Sequence, residues 1–167
     1  MSETAANEIV KVGMAELSIA TIPQVLRTSG LGSCVGIVLY MAGAKTAGMA
    51  HVMLPDSSMA REKAINRAKY ADTAIEDLIE LLKGSGMKEK QLKAKIAGGA
   101  EMFKFSSNSN TMKVGPRNVE AVKHELKSRG IEVTAEDTGG SSGRTIEFYI
   151  GENGLKIRTV NQGEAVI

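Results

Sequence analysis

The thiol of Cys34 is the one sulfur nucleophile that this sequence offers, and it lies in the run GLGSCVG, where glycines at 30, 32 and 36 and a serine at 33 leave little side-chain bulk around it. Backbone can come close to a substrate at such a place. A thiol attacks as the thiolate, and with an ordinary pKa of about 8.5 it needs an imidazole or a positive dipole beside it to ionise at neutral pH. Two imidazoles are available. His124 falls on the exposed side of a charged helical stretch, whereas His51 sits inside the apolar segment GMAHVMLP, where a histidine needs a reason. Cys34 with His51 as base is the combination for nucleophilic hydrolysis of an acyl or amide group. A lone cysteine among small apolar residues is ordinarily an inert core residue, and a lone strand histidine a satisfied one. The residues alone leave both readings open.

Other motifs carry less. GLGSCVG is not a dinucleotide fingerprint, because the third glycine would fall at position 35, which is Val, and GGSSGR lacks the lysine and spacing of a phosphate loop. One Cys and two His give no metal-binding spacing, so neither metal nor cofactor is expected. A thiol redox sensor is disfavoured, since no second cysteine is present to resolve a sulfenic acid.

The thiol and the imidazole need elements to position them. SCVGIVLYM, residues 33 to 41, is too apolar to face water on either side and reads as a buried strand. A turn at Gly43 to Lys45 leads into TAGMAHVMLP, which makes a hairpin with it. Because Cys34 and His51 are not symmetric about that turn, spacing by itself does not bring them within bonding distance. Upstream, Ile9 to Ile19 follow a β-like pattern, residues 1 to 7 read as frayed, and Pro23 to Gly30 read as a connection.

Downstream, Ala64, Ala68, Ala71, Ile75, Leu78 and Leu82 recur at helical spacing, predicting one long amphipathic helix over 58 to 83, capped by Ser57 or Ser58 and stopped by Gly84. KAKIAGGA reads as a strand ending at a double glycine, and 106 to 111 as an exposed polar loop. A second helix begins near Pro116, places Val119, Val122 and Leu126 on one face, and stops at Gly130; IEVTAED is then a strand. TIEFYI and LKIRTV flank an Asn-Gly turn as a closing hairpin. Many strands and two helices in mixed order give an α+β fold, helices packed on mixed β-sheets, over 1–167 as one domain.

Composition narrows the partners. Twenty-one Lys and Arg against nineteen Asp and Glu, a net charge of +2, give no reason to expect nucleic acid or an anionic membrane surface. Every apolar run is interrupted well short of the roughly eighteen residues of a membrane span, and MSETAANEIV does not read as a signal peptide, so the expected location is the cytoplasm. With no Trp and 4% aromatic residues, the core must be built from Val, Ile, Leu, Met and Ala.

The runs RTSGLGSCVGIVLY, GMAHVMLPDS, KYADTAIEDL, KAKIAGGAEMF, VGPRNVEAV and AEDTGGSSGR, in this order, resemble the CheD family of chemoreceptor glutamine deamidases, from about Val10 to Val160. The resemblance implies a catalytic Cys34, a histidine base at His51 and, six residues before the cysteine, Thr28 to orient the imidazole. It further implies a layered α/β sandwich of cysteine-hydrolase type akin to deamidating bacterial toxins, conversion of selected receptor glutamines to glutamate, and binding to the receptor's cytoplasmic helices and to the phosphatase CheC. Backbone N–H groups around Gly32, Ser33 and Cys34 are the candidate oxyanion donors. Phe103, between the Gly98-Gly99 turn and the polar loop, is a candidate anchor for a partner or a core lid. A binding module without catalysis is the competing expectation.

Overall fold

The computed structural model describes residues 8–61, 63–102 and 113–167. Two five-stranded mixed sheets stack face to face, and two helices cover the outer face of one of them. The chain runs β1 (Ile9–Lys11), β2 (Glu16–Thr21), β3 (Val25–Leu31), β4 (Val35–Tyr40), β5 (Thr46–Val52), α1 (Ala71–Gly84), β6 (Lys93–Gly98), α2 (Val114–Ser128), β7 (Glu132–Thr138), β8 (Arg144–Tyr149), β9 (Gly154–Thr159) and β10 (Gly163–Val166). The first sheet has the order β1-β3-β8-β9-β10 and the second β2-β5-β4-β6-β7. Within them β1 pairs parallel with β3 and β6 with β7; the remaining neighbours are antiparallel. This is the α+β sandwich of mixed sheets and helices expected from the sequence.

All six residues of β4 are buried, which is why its sequence shows no alternation. Val35, Ile37 and Leu39 face the helices and pack with Ile75, Leu78 and Leu82 of α1 and Val122 and Leu126 of α2. Cys34, Val38 and Tyr40 face the other way, into a second core with Leu26, Ile146, Phe148, Leu155 and Ile157 of the first sheet. The space between the sheets is therefore a closed apolar seam, and Cys34 stands at one end of it.

Two expectations are corrected. Residues 25–31 are not a connection but strand β3, lying between β1 and β8; the polar RTSG hides a strand whose alternate residues Leu26 and Thr28 point into the seam while Arg27 lies outward beside Glu147. Helix α1 begins at Ala71, not near Ser58. Residues 57–59 and 67–69 are single 3-10 turns, and the amides of Met53 and Leu54 both donate to Lys69 O while Ala71 N donates to Leu54 O. That ladder holds Tyr70 extended and fixes the helix start. Ser57 does not cap the helix by itself; its amide and hydroxyl donate to Asp72 in the first turn. The second helix, its Pro116 in the first turn and Gly130 (φ +72°) beyond its end, and the β8–β9 hairpin lie as expected. The loop expected at 106 to 111, Phe103 and the fraying expected at 1 to 7 lie outside the described residues.

Candidate active site

Cys34 follows β3 and immediately precedes β4, with 8% of its surface exposed. Its short segment is pinned by its carbonyls: Gly32 O accepts from Ala100 N at 2.8 Å, Ser33 O from Asn118 Nδ2 at 2.9 Å, and Cys34 O from Gly99 N at 2.8 Å. The approach of the 98–100 segment demands glycine, because Gly98 has φ +115° and a Cβ there would stand 2.3 Å from Cys34 O. Gly32 lies against Met102, its Cβ position 3.3 Å from the Met102 side chain.

His51 on β5 pairs with Gly36 of β4, so Cys34 is the diagonal neighbour, two residues along the same face. Such diagonal pairs are roughly 7–8 Å apart at the backbone, within reach of long side chains. The residue directly opposite the imidazole is Gly36, so no side chain of β4 stands between it and the thiol. The diagonal places thiol and imidazole on one face, but no hydrogen bond joins them: among the described residues His51 Nε2 has no partner. His51 is fully buried, and Thr28, on β3 of the other sheet, is 2% exposed.

The hydrogen bonds define the imidazole's tautomer. Thr28 Oγ1 lies 2.6 Å from Val12 O and 2.7 Å from His51 Nδ1. A carbonyl can only accept, so the hydroxyl proton goes to Val12, and the hydroxyl oxygen accepts from His51 Nδ1–H. Nε2 therefore carries the lone pair. It is buried and, among the described residues, has no hydrogen-bond partner. Burial lowers the His51 pKa from 6.5 to about 4 and raises that of the Cys34 thiol, the Cys34 backbone N–H working weakly the other way. At neutral pH the two groups therefore rest as thiol and neutral imidazole, not as a thiolate–imidazolium pair.

Of the residues singled out in the sequence, Cys34, Ser33 and Gly32 share one segment, and His51 and Thr28 meet in the seam. His124 is exposed on α2, in a cleft with Pro55, Asp56, Arg117 and Glu120 on the outer side. Among the described residues no group of three His, Cys, Asp or Glu is placed to hold a metal ion. Sequence reasoning missed the Val12 carbonyl, which no side chain announces, and Asn118, a polar residue on the same helical face as Val122 and Leu126.

The family model for CheD chemotactic sensory transduction matches residues 53–159. The chain belongs to the CheD family. Among its relatives, the chemoreceptor glutamine deamidase CheD of Halalkalibacterium halodurans is 56% identical over 161 residues, covering 96% of this chain and 99% of that protein. The protein of the same name from Bacillus subtilis is 55% identical over 167 residues, the whole of both chains. A probable chemoreceptor glutamine deamidase CheD from Caldanaerobacter subterraneus is 49% identical over 157 residues, 94% of this chain and 96% of that one. No helix among the described residues of this CheD chain is long and apolar enough to cross a membrane.

Proposed function

We propose that this CheD protein hydrolyses the side-chain carboxamide of selected chemoreceptor glutamines to glutamate and ammonia, with Cys34 as nucleophile, His51 as base and Thr28 as the residue that orients the base. The observation that carries the reading is the Val12–Thr28–His51 chain of hydrogen bonds, which leaves the Nε2 lone pair on the sheet face shared with the thiol. The names of relatives with near-complete coverage of this chain supply the substrate class.

Each step follows from these groups. Nε2 takes the thiol proton as sulfur attacks the carboxamide carbon, and the imidazolium so formed is stabilised where Thr28 Oγ1 accepts from Nδ1–H. The oxyanion is met by the backbone N–H groups of Ser33 and Cys34, because the Gly32 N–H donates to Gly30 O at 3.1 Å. Protonated Nε2 gives its proton to the departing nitrogen, ammonia leaves, and a thioester remains. Nε2 then takes a proton from water, hydroxide adds to the thioester, and glutamate and the free thiol are released. The product carries one more negative charge than the substrate, which alters the electrostatics of a receptor helix and creates a carboxylate open to methyl esterification. The reaction belongs in the cytoplasm, where those helices lie.

The test is incubation with a receptor cytoplasmic fragment, followed by mass spectrometry for amide-to-acid conversion at glutamines and an ammonia assay, with Cys34→Ala in parallel. Conversion by the wild type and none by the variant is the expected result. Conversion that survives the variant rejects Cys34. If neither protein converts any glutamine yet both bind the fragment, the chain is a docking module. Association with a CheC-type phosphatase is the further partner reading; titration of the two proteins checks it.

A further inference from the structure

Asn118 is fully buried on α2, yet it faces no other polar side chain of the site. Its Nδ2 donates to Ser33 O at 2.9 Å and to Met53 O at 3.0 Å, and its Oδ1 is buried without a partner among the described residues. Both near neighbours are carbonyl oxygens, so only the amide's NH2 end can face them. The two carbonyls belong to the residue before the thiol and to the residue two beyond the imidazole. They also mark the place where the β4–β5 ladder ends: Val35 pairs with Val52, and the next rung, Cys34 with Met53, is missing. The Asn118 amide ties together the two strands' extensions at that point.

The bond to Ser33 O has a second effect. The Ser33–Cys34 peptide is trans, so its N–H points opposite to its C=O. With the carbonyl turned to Asn118, the Cys34 N–H is turned away from that side chain, and the Cys34 side chain packs into the seam between the sheets. An oxyanion formed by attack of its sulfur develops on that side. We infer that Asn118 is a positioning residue that fixes the Ser33–Cys34 peptide so that the Cys34 N–H serves as an oxyanion donor, and that ties this peptide to the strand carrying the base. The inference rests on the reading of Cys34 as nucleophile.

The test compares two reactions of one sulfur. Deamidation of a receptor cytoplasmic fragment passes through an oxyanion; alkylation of Cys34 by iodoacetamide does not. Asn118→Asp keeps the side chain's shape but at neutral pH presents acceptors to two carbonyls. The expected result is a fall in kcat of about 10- to 100-fold, up to the lower range of losing one oxyanion donor, with KM and the alkylation rate within about threefold of wild type. Unchanged kcat in a folded variant overturns the inference, and so does a parallel fall of kcat and alkylation, which would mark a damaged thiol segment. If Asn118→Asp does not fold, Asn118→Ser, which keeps one donor on a smaller side chain, is read in the same way; failure of both to fold assigns Asn118 to the fold alone. Cys34→Ala run alongside separates the two claims. Residual turnover there rejects the nucleophile, and this inference with it, whereas loss of turnover there with normal kcat in the Asn118 variant rejects Asn118 only.

Discussion

Replacing Thr28 by valine removes one hydroxyl from the seam with almost no change in shape, and the structure fixes what that hydroxyl does. It accepts from His51 Nδ1–H and donates to Val12 O, and all three residues are buried. Thr28→Val leaves two buried polar groups unsatisfied at about 1–3 kcal/mol each, so a loss of about 2–6 kcal/mol in stability is expected. For a chain of this length that is a drop in Tm of roughly 4–24 °C. Catalysis suffers separately. Without its acceptor the imidazole has no reason to keep the proton on Nδ1, and the tautomer protonated at Nε2 cannot take a proton from the thiol. A bond to a developing imidazolium worth about 1.5–3 kcal/mol corresponds to a kcat lower by about 10- to 100-fold. The assay is deamidation of a receptor fragment at a temperature where the variant is folded, with nitrogen NMR of the imidazole to read the tautomer. Thr28→Ser keeps the hydroxyl and should keep most of the activity. Wild-type kcat in Thr28→Val, or an equal loss in Thr28→Ser, refutes the reasoning.

Stability should depend on pH through His51: its folded pKa of about 4 lies below the ordinary 6.5, so the unfolded chain binds more protons between these values. The native state is then fully favoured above about pH 6.5 and loses up to about 3 kcal/mol as pH falls toward 4; denaturant titrations across that window should show the slope, and His51→Gln should flatten it. Cys34→Ala should abolish turnover while its melting curve stays close to wild type, because a small, mostly buried side chain is replaced by one nearly its size; a large drop in Tm would show that the sulfur is a packing element. Gly98→Ala sets a Cβ 2.3 Å from Cys34 O on a backbone at φ +115°, and should cost about 2 kcal/mol or more along with activity; a melting curve like wild type would contradict the close approach.

How far the sequence could be read follows from where the information lies. The β4–β5 hairpin and the β8–β9 hairpin announce themselves by apolar runs around a tight turn, while Cys34 stands out as the one cysteine, set among glycines, and His51 as an imidazole inside an apolar segment. Strand β3 is masked because Pro23 stands just before it, Ser29 and Gly30 interrupt it and only Leu26 and Thr28 of its middle face the core, so the strand that carries Thr28 reads as a connection. The sequence suggests a longer α1 because Ala64 and Ala68 continue the helical spacing by coincidence. The chain stays extended at Tyr70 through bonds to Met53 and Leu54, which no local pattern encodes. The diagonal placement of thiol and imidazole depends on a one-residue choice of register that the turn sequence does not specify. Val12 enters through its carbonyl, which every residue possesses.

The split of the site between two sheets also sets the order in which it comes into being. Cys34 immediately precedes β4 and His51 lies on β5, both early in the chain, but Thr28 is held in the seam by β3, whose neighbours are β1 and the late strand β8, with Thr28 opposite Ile146. A nascent chain that has emerged only as far as β7 already carries thiol and imidazole, yet lacks the strand that presses Thr28 against the ring. The bond between Thr28 and His51 Nδ1 joins the two sheets, so if His51 acts as proposed its tautomer is set only in the complete sandwich.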